Sequence, residues 1–163
     1  AMSCDTVKTA VADHYAKFGG LNQDGTTGTA IAITNTPKND YDLMLLREQF
    51  LEKPFITKIG DGTNSIANTR IQLQACPNTA TTVVGDEASG YNLSGTSTNN
   101  ECNGSYLVQA IITGVTEGDA LALSQRIDGN ALSSTAVGAS DLRGRVKYAT
   151  AATTTVYVYL THR

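Results

Sequence analysis

The chain opens "AMSCDTVKTAVADHYAKFGG" (residues 1–20), and the spacing of its apolar residues dictates an amphipathic helix. Val7, Ala10, Val11, Tyr15 and Phe18 recur at intervals of three and four, which places them on one face of a 3.6-residue repeat. No Gly or Pro interrupts the stretch between Ser3 and Phe18, Ser3 or Asp5 can cap a start, and Gly19–Gly20 ends it. Ala1 and Met2 read as a cloning remnant. The helix over 3–18 is therefore expected to be the lower half of a longer one, its front lying upstream of this sequence.

Working outward, "LNQDGTTGTAIAITNTP" is loop with a short edge strand expected at Ala30–Thr34, ended by Pro37. "NDYDLMLLREQFLEK" predicts a second helix, capped by Asp40 and stopped by Pro54, with Leu43, Leu46 and Phe50 on its inner face. "PFITKIGDG" and "ANTRIQLQAC" read as strands, the latter with Ile71 and Leu73 as its apolar side. "SYLVQAIITGV" has the β-branched and aromatic content of a central strand. "TEGDALALSQRIDGN" predicts a third helix, with Thr116 and Asp119 as a capping pair, Ala120, Leu123 and Ile127 facing inward, and Gly129 as the stop. "GRVKYA" and "TTTVYVYLTH" close the chain as a hairpin, with Val156, Val158 and Leu160 on one face and Tyr157 and Tyr159 on the other. The expectation is one α+β domain over 1–163, its N-terminal helix packed on a mostly antiparallel sheet with short helices at the edge.

The 163 residues suffice for a core of their own. Only 17% are charged, Gly numbers 15 and Trp is absent, a polar, small-residue composition suited to extracellular β-rich proteins. The net charge of -3 excludes a general nucleic-acid binder, which needs a basic surface to neutralise phosphates. The charge is uneven, however. Residues 126–163 carry Arg126, Arg143, Arg145, Lys147 and Arg163 against Asp128 and Asp141, so a positive C-terminal part sits on an acidic body. No apolar run approaches the roughly 20 residues that span a bilayer.

Cysteines at 4, 76 and 102 fit neither a zinc pattern nor a Cys-x-x-Cys redox motif. Cys76 and Cys102 bracket a polar, Gly-rich stretch and are expected to form a disulfide, with Cys4 free on an exposed helix end; the alternative is three reduced thiols. Such a bond implies an oxidising compartment.

Catalytic chemistry finds little to converge on. His14 lies beside the apolar face of the first helix and His162 next to the C-terminal residue, both expected half-buried or solvated. No nucleophile elbow, Walker loop, His-Glu-x-x-His or Gly-x-Gly-x-x-Gly is present. Asp-Gly at 24, 61 and 128 suits turns better than calcium. "DLRGRVKY" is either a phosphate-binding patch or the start of a strand whose basic side chains face water. Asn92 and Asn103 match a glycan acceptor pattern that is common by chance. No catalytic residue, metal ligand or cofactor is assigned.

"TVKTAVADHYAKFGG", "LLREQFLEKPF" and "VYVYL" together resemble the soluble part of a type IV pilin or pseudopilin: the lower half of the N-terminal helix, a short segment after the variable loop, and a closing sheet strand. The family's motif, a Gly followed by Phe and then Glu at the fifth mature position, is absent from this sequence, and its cysteine pair usually lies nearer the C-terminus than 76 and 102. The resemblance implies a structural filament subunit with no active site and no cofactor, working in adhesion, motility, DNA uptake or secretion. Its partners would be copies of itself, other pilins and, through an apolar helix front, the inner membrane. Its place would be the bacterial surface or periplasm, and without the front it would be monomeric. Val7, Ala10, Val11, Tyr15 and Phe18 would belong to the assembly helix, and Arg143, Arg145 and Lys147 to an inter-subunit basic patch. A secreted adhesin-like or carbohydrate-binding module is the alternative.

Overall fold

Helix α1 spans Met2–Phe18 and ends where Gly19 adopts a φ of 75° and its N–H reaches Tyr15 O at 2.8 Å. Asp5 in the first turn and Lys17 in the last complement the helix dipole. The computed structural model describes residues 2–33, 36–76, 90–95, 100–133 and 138–163, with the backbone alone described at Met2. Among these lie three helices and two antiparallel sheets, an α+β fold.

The small sheet pairs β1 (Gln23–Asp24) with β2 (Thr29–Ala30). The strand expected over Ala30–Thr34 is thus earlier and shorter, and Thr34 lies outside the described residues. The main sheet has the order β3-β4-β6-β5, built from β3 (Arg70–Ala75), β4 (Tyr106–Thr116), β5 (Val146–Tyr148) and β6 (Thr153–His162). Leu73 faces Val108, and Ala110 and Ile112 face Val158 and Val156, so the apolar residues of neighbouring strands share one side. Against that side lie Val7, Ala10 and Val11 of α1, Tyr41, Met44 and Leu45 of α2 (Tyr41–Arg47), and Ala120 and Leu123 of α3 (Glu117–Asp128) in one buried cluster. Each Val, Leu or Met among them contributes about 1.5–3 kcal/mol by leaving water.

Helix α3 is as expected. Thr116 Oγ1 accepts from Asp119 N at 3.4 Å, and Gly129, at φ 74°, ends the helix with its N–H on Gln125 O. Helix α2 departs from expectation. It stops at Arg47, well before Pro54, because Gln49 turns into the left-handed region at φ 66°. Asp40 occupies the N-cap position but makes no capping bond; its carboxylate pairs with Lys38 Nζ at 2.9 Å. The buried face is Tyr41, Met44 and Leu45, whereas Leu43, Leu46 and Phe50 are only half-buried.

The strand expected over 54–62 is absent. Gly60 and Gly62 take φ of 80° and 68°, and Asp61 gathers the segment into turns against β4. Its N–H donates to Thr113 O at 3.0 Å, and its carboxylate accepts from Thr113 Oγ1, from Thr69 Oγ1 at 3.2 Å and from Thr63 N at 3.1 Å. A Cβ on Gly60 would stand 2.4 Å from Thr113 O, so the close approach requires glycine there.

The opposite side of the main sheet is closed as well. Cys76 and Cys102 are joined by the expected disulfide, with a Cα–Cα distance of 5.7 Å. With Tyr91, Leu107, Ile111 and Tyr157 they form a second buried cluster. Most of the loop between the cysteines, 77–89 and 96–99, lies outside the described residues. Cys4 is free, as expected, but not exposed. It is 6% accessible and belongs to the core, because the helix phase that turns Val7 and Val11 inward turns Cys4 inward too. Burial pushes its thiol up to about 11.

No described helix is long and apolar enough to cross a membrane.

Candidate functional site

The surface around α1 is where the functional residues expected from sequence can be judged. Val7, Ala10 and Val11 are buried and Tyr15 and Phe18 half-buried, so the apolar stripe of the expected assembly helix packs on this chain's own core. The face left open is polar, with Asp5, Lys8, Thr9, Asp13 and Lys17 exposed.

Three clefts surround the first turns of α1. A cleft of about 230 Å³ separates α1 from α3 and β6, and Lys8, Arg126 and Arg145 line it. One of about 410 Å³ runs between α1, the 57–59 segment and α3, floored by Ile59, Ile112 and Leu123. A third, of about 530 Å³, lies between α1 and residues 50–56 and is bordered by Ile56, which is 53% exposed.

The expected basic patch divides. Arg143 and Arg145 are exposed, but Lys147 is not: it is 1% accessible. The alternation of β5 brings Lys147 opposite Tyr157 on the disulfide side of the sheet. There its Nζ stands 4.5 Å from the Tyr91 ring centre and 5.4 Å from that of Tyr157, and donates to Gly90 O at 3.3 Å. A cation so enclosed cannot serve a surface patch. Arg145 is oriented by its own neighbourhood, since Nη2 donates to Ile127 O at 2.6 Å and Nε lies 3.8 Å from Asp128 Oδ1. Asp128 in turn accepts from the N–H groups of Arg145 and Val146 at 2.8 and 3.0 Å; burial nevertheless pushes its carboxyl up.

His14 is fully buried rather than solvated. Its Nδ1 lies 3.0 and 3.1 Å from the two Glu48 carboxylate oxygens, and its ring packs on Phe18, Tyr41 and Phe50 with centroids 4.9, 5.9 and 6.0 Å away. Glu48 Oε2 also accepts from Gly25 N at 3.1 Å, tying the β1–β2 hairpin to α1. Burial raises the Glu48 carboxyl, against the lowering effect of His14 and Gly25 N–H. His–carboxylate pairs do acid–base work in enzymes, but with side chains 0% and 3% exposed this one is sealed from any substrate.

A second polar array crosses the disulfide side of the sheet. Tyr91 OH donates to Gln109 Oε1 at 2.6 Å, Gln109 Nε2 to Gln72 Oε1 at 2.8 Å, and Gln72 Nε2 to Asn39 Oδ1 at 2.8 Å, where Arg70 Nε also arrives at 3.0 Å. Such a connected chain rigidifies a buried interface rather than offering chemistry. Of the glycan acceptor matches, Asn92 is 4% accessible and Asn103 is exposed. Among the described residues no group of three or more His, Cys, Asp or Glu could hold a metal ion.

No family model, no curated protein and no solved structure matches this chain.

The Lys8–Arg126–Arg145 convergence and the His14–Glu48 pair were not legible in the sequence. Both join residues far apart in the chain, and no local periodicity or motif encodes their meeting.

Proposed function

We propose that the chain is the globular head of a structural filament subunit, a major or minor pilin or a pseudopilin, of a type IV pilus or type II secretion-like system. The observation that carries this reading is α1. It runs 17 residues, commits its inner stripe to the helix side of a four-stranded antiparallel sheet, and keeps a polar outer face open along its length. A helix held this way can continue beyond its first turn as a stalk while the head stays folded. The disulfide on the far side of the sheet supports a periplasmic or surface setting.

The test is to read the gene upstream of Ser3 and to probe sheared surface filaments with an antibody against this chain. An apolar stretch of about 20 residues behind a short basic leader, with the antibody decorating filaments, is the expected result. A cleavable signal peptide followed by a polar start, with the chain released free into the medium, would overturn the reading in favour of a secreted binding module.

A further inference from the structure

We propose that the cleft between α1, α3 and β6 is a binding site for a compact anion bearing a carboxylate or phosphate group. Three cations reach it from three separate places: Lys8 from α1, Arg126 from the last turn of α3, and Arg145 from the turn before β5. The elements that carry them are anchored through Val7, Val11, Leu123 and Val146 in the common core, so the like charges are held near one another by packing. Mutual repulsion in that arrangement is unfavourable, and an anion between them relieves it.

Arg145 is prepared for the task. Ile127 O and Asp128 fix its guanidinium, while Asp128, with a side chain 1% exposed, lies beneath the surface. Neither Lys8 nor Arg126 has an ion-pair partner among the described residues. Among the described residues Asp5 is the one carboxylate on the cleft wall, and Asp128 behind Arg145 offsets part of that cation, so Lys8 and Arg126 carry the excess positive charge. Ile127, Val158 and Leu160 supply low-dielectric wall beside the charges, which strengthens their field in the cleft. A volume of about 230 Å³ admits a compact group rather than an extended polymer. The site stands whether or not the chain builds filaments.

The experiment is a titration of the isotope-labelled protein, at constant ionic strength, with inorganic phosphate and separately with citrate, followed by amide chemical shifts. Saturable shifts confined to the neighbourhoods of Lys8, Arg126, Arg145 and Leu160 are expected with at least one of the two anions, and which one responds assigns the group. Arg126→Gln should weaken that binding about tenfold or more, whereas Lys17→Gln, on α1 but away from the cleft, should leave it unchanged. Lys8→Gln, an exposed change on α1, gives the same reading should Arg126→Gln fail to fold. Shifts that rise linearly and equally with chloride, or equal affinity in the Lys8 and Arg126 variants, would overturn the proposal.

Discussion

A Cβ on Gly25 would stand 2.1 Å from Glu48 Oε2 and 2.3 Å from the Phe18 ring, so no side chain fits where the β1–β2 hairpin meets α1. Gly25→Ala is expected to lower stability by about 1–3 kcal/mol, read as a drop in melting temperature, because Phe18 or Glu48 must move. The carboxylate it touches predicts a pH effect. Glu48 has a folded pKa raised by burial, so the folded state holds its proton more tightly than the unfolded chain does. Its contribution is fully present below the unfolded value of about 4.3 and is lost as pH rises through the raised folded value. Glu48→Gln cannot titrate, and the melting temperature of that variant should fall less than wild type over that window; parallel curves would remove Glu48 as the cause. Single residues were also where sequence reading failed most. Lys147 and His14 look like solvated polar residues in "RVKY" and "ADHYA", yet tertiary partners enclose both: two tyrosine rings around Lys147, and Glu48 with three aromatic rings around His14.

Strand β6 shows what alternation conveys and what it leaves out. Its two faces divide as the sequence predicts, Val156, Val158 and Leu160 toward the helices and Tyr157 and Tyr159 toward the disulfide. The tyrosine face is the more open of the two, yet its first tyrosine is still enclosed: Tyr157 is 8% accessible against 2% for Val158, and Tyr159 is half-buried. Val158→Asp is accordingly expected to cost about 4 kcal/mol or more by burying an unpaired charge, and Tyr157→Ser about 3 kcal/mol by opening a cavity over Lys147. Denaturant unfolding of the two variants checks the order, and a negligible loss in either would contradict its burial. The 54–64 segment depends on Asp61, whose carboxyl is held below the usual range chiefly by the hydrogen bond from Thr113. The sign here is opposite to that of Glu48. Stability from Asp61 is present above the unfolded carboxylate pKa and is lost as pH falls through the lowered folded value. Asp61→Asn should flatten the acid limb of the stability curve, which thermal melts across the acid range would show.

For the whole molecule, two clusters on the two sides of one sheet imply unequal dependence on the disulfide. Cys76 and Cys102 belong to the smaller cluster, while all three helices belong to the larger. Replacing both cysteines with Ser should remove roughly 2–4 kcal/mol yet leave α1 docked, seen as retained helical circular dichroism at a lower melting temperature. Assembly, on the proposed reading, falls to the outer surface. Arg143→Glu should reduce filament yield in cells with little change in the melting temperature of the head, since that side chain is exposed; Arg145→Glu should reduce it too, but with a lower melting temperature, because it removes the contacts to Ile127 O and Asp128. Normal filament yield from both variants would exclude an electrostatic contribution from this patch.

The sequence by itself determined the elements whose signals are local: α1 through its three-and-four spacing, α3 through Thr116 and Gly129, and the two faces of β6 through alternation; it also made the disulfide the expected pairing, through the polar, Gly-rich stretch that Cys76 and Cys102 bracket. Tertiary structure alone decided which polar residues would be enclosed and which charges would meet. "RIQLQA" names Ile71 and Leu73 as apolar, but nothing in it says that Gln72 will be buried against Gln109 and Asn39, because that requires a second layer over the far face of the sheet. Periodicity reports how a residue points from its own backbone. Burial depends on what arrives from elsewhere in the chain, and Lys8, Arg126 and Arg145 share a cleft only because three elements pack on one core.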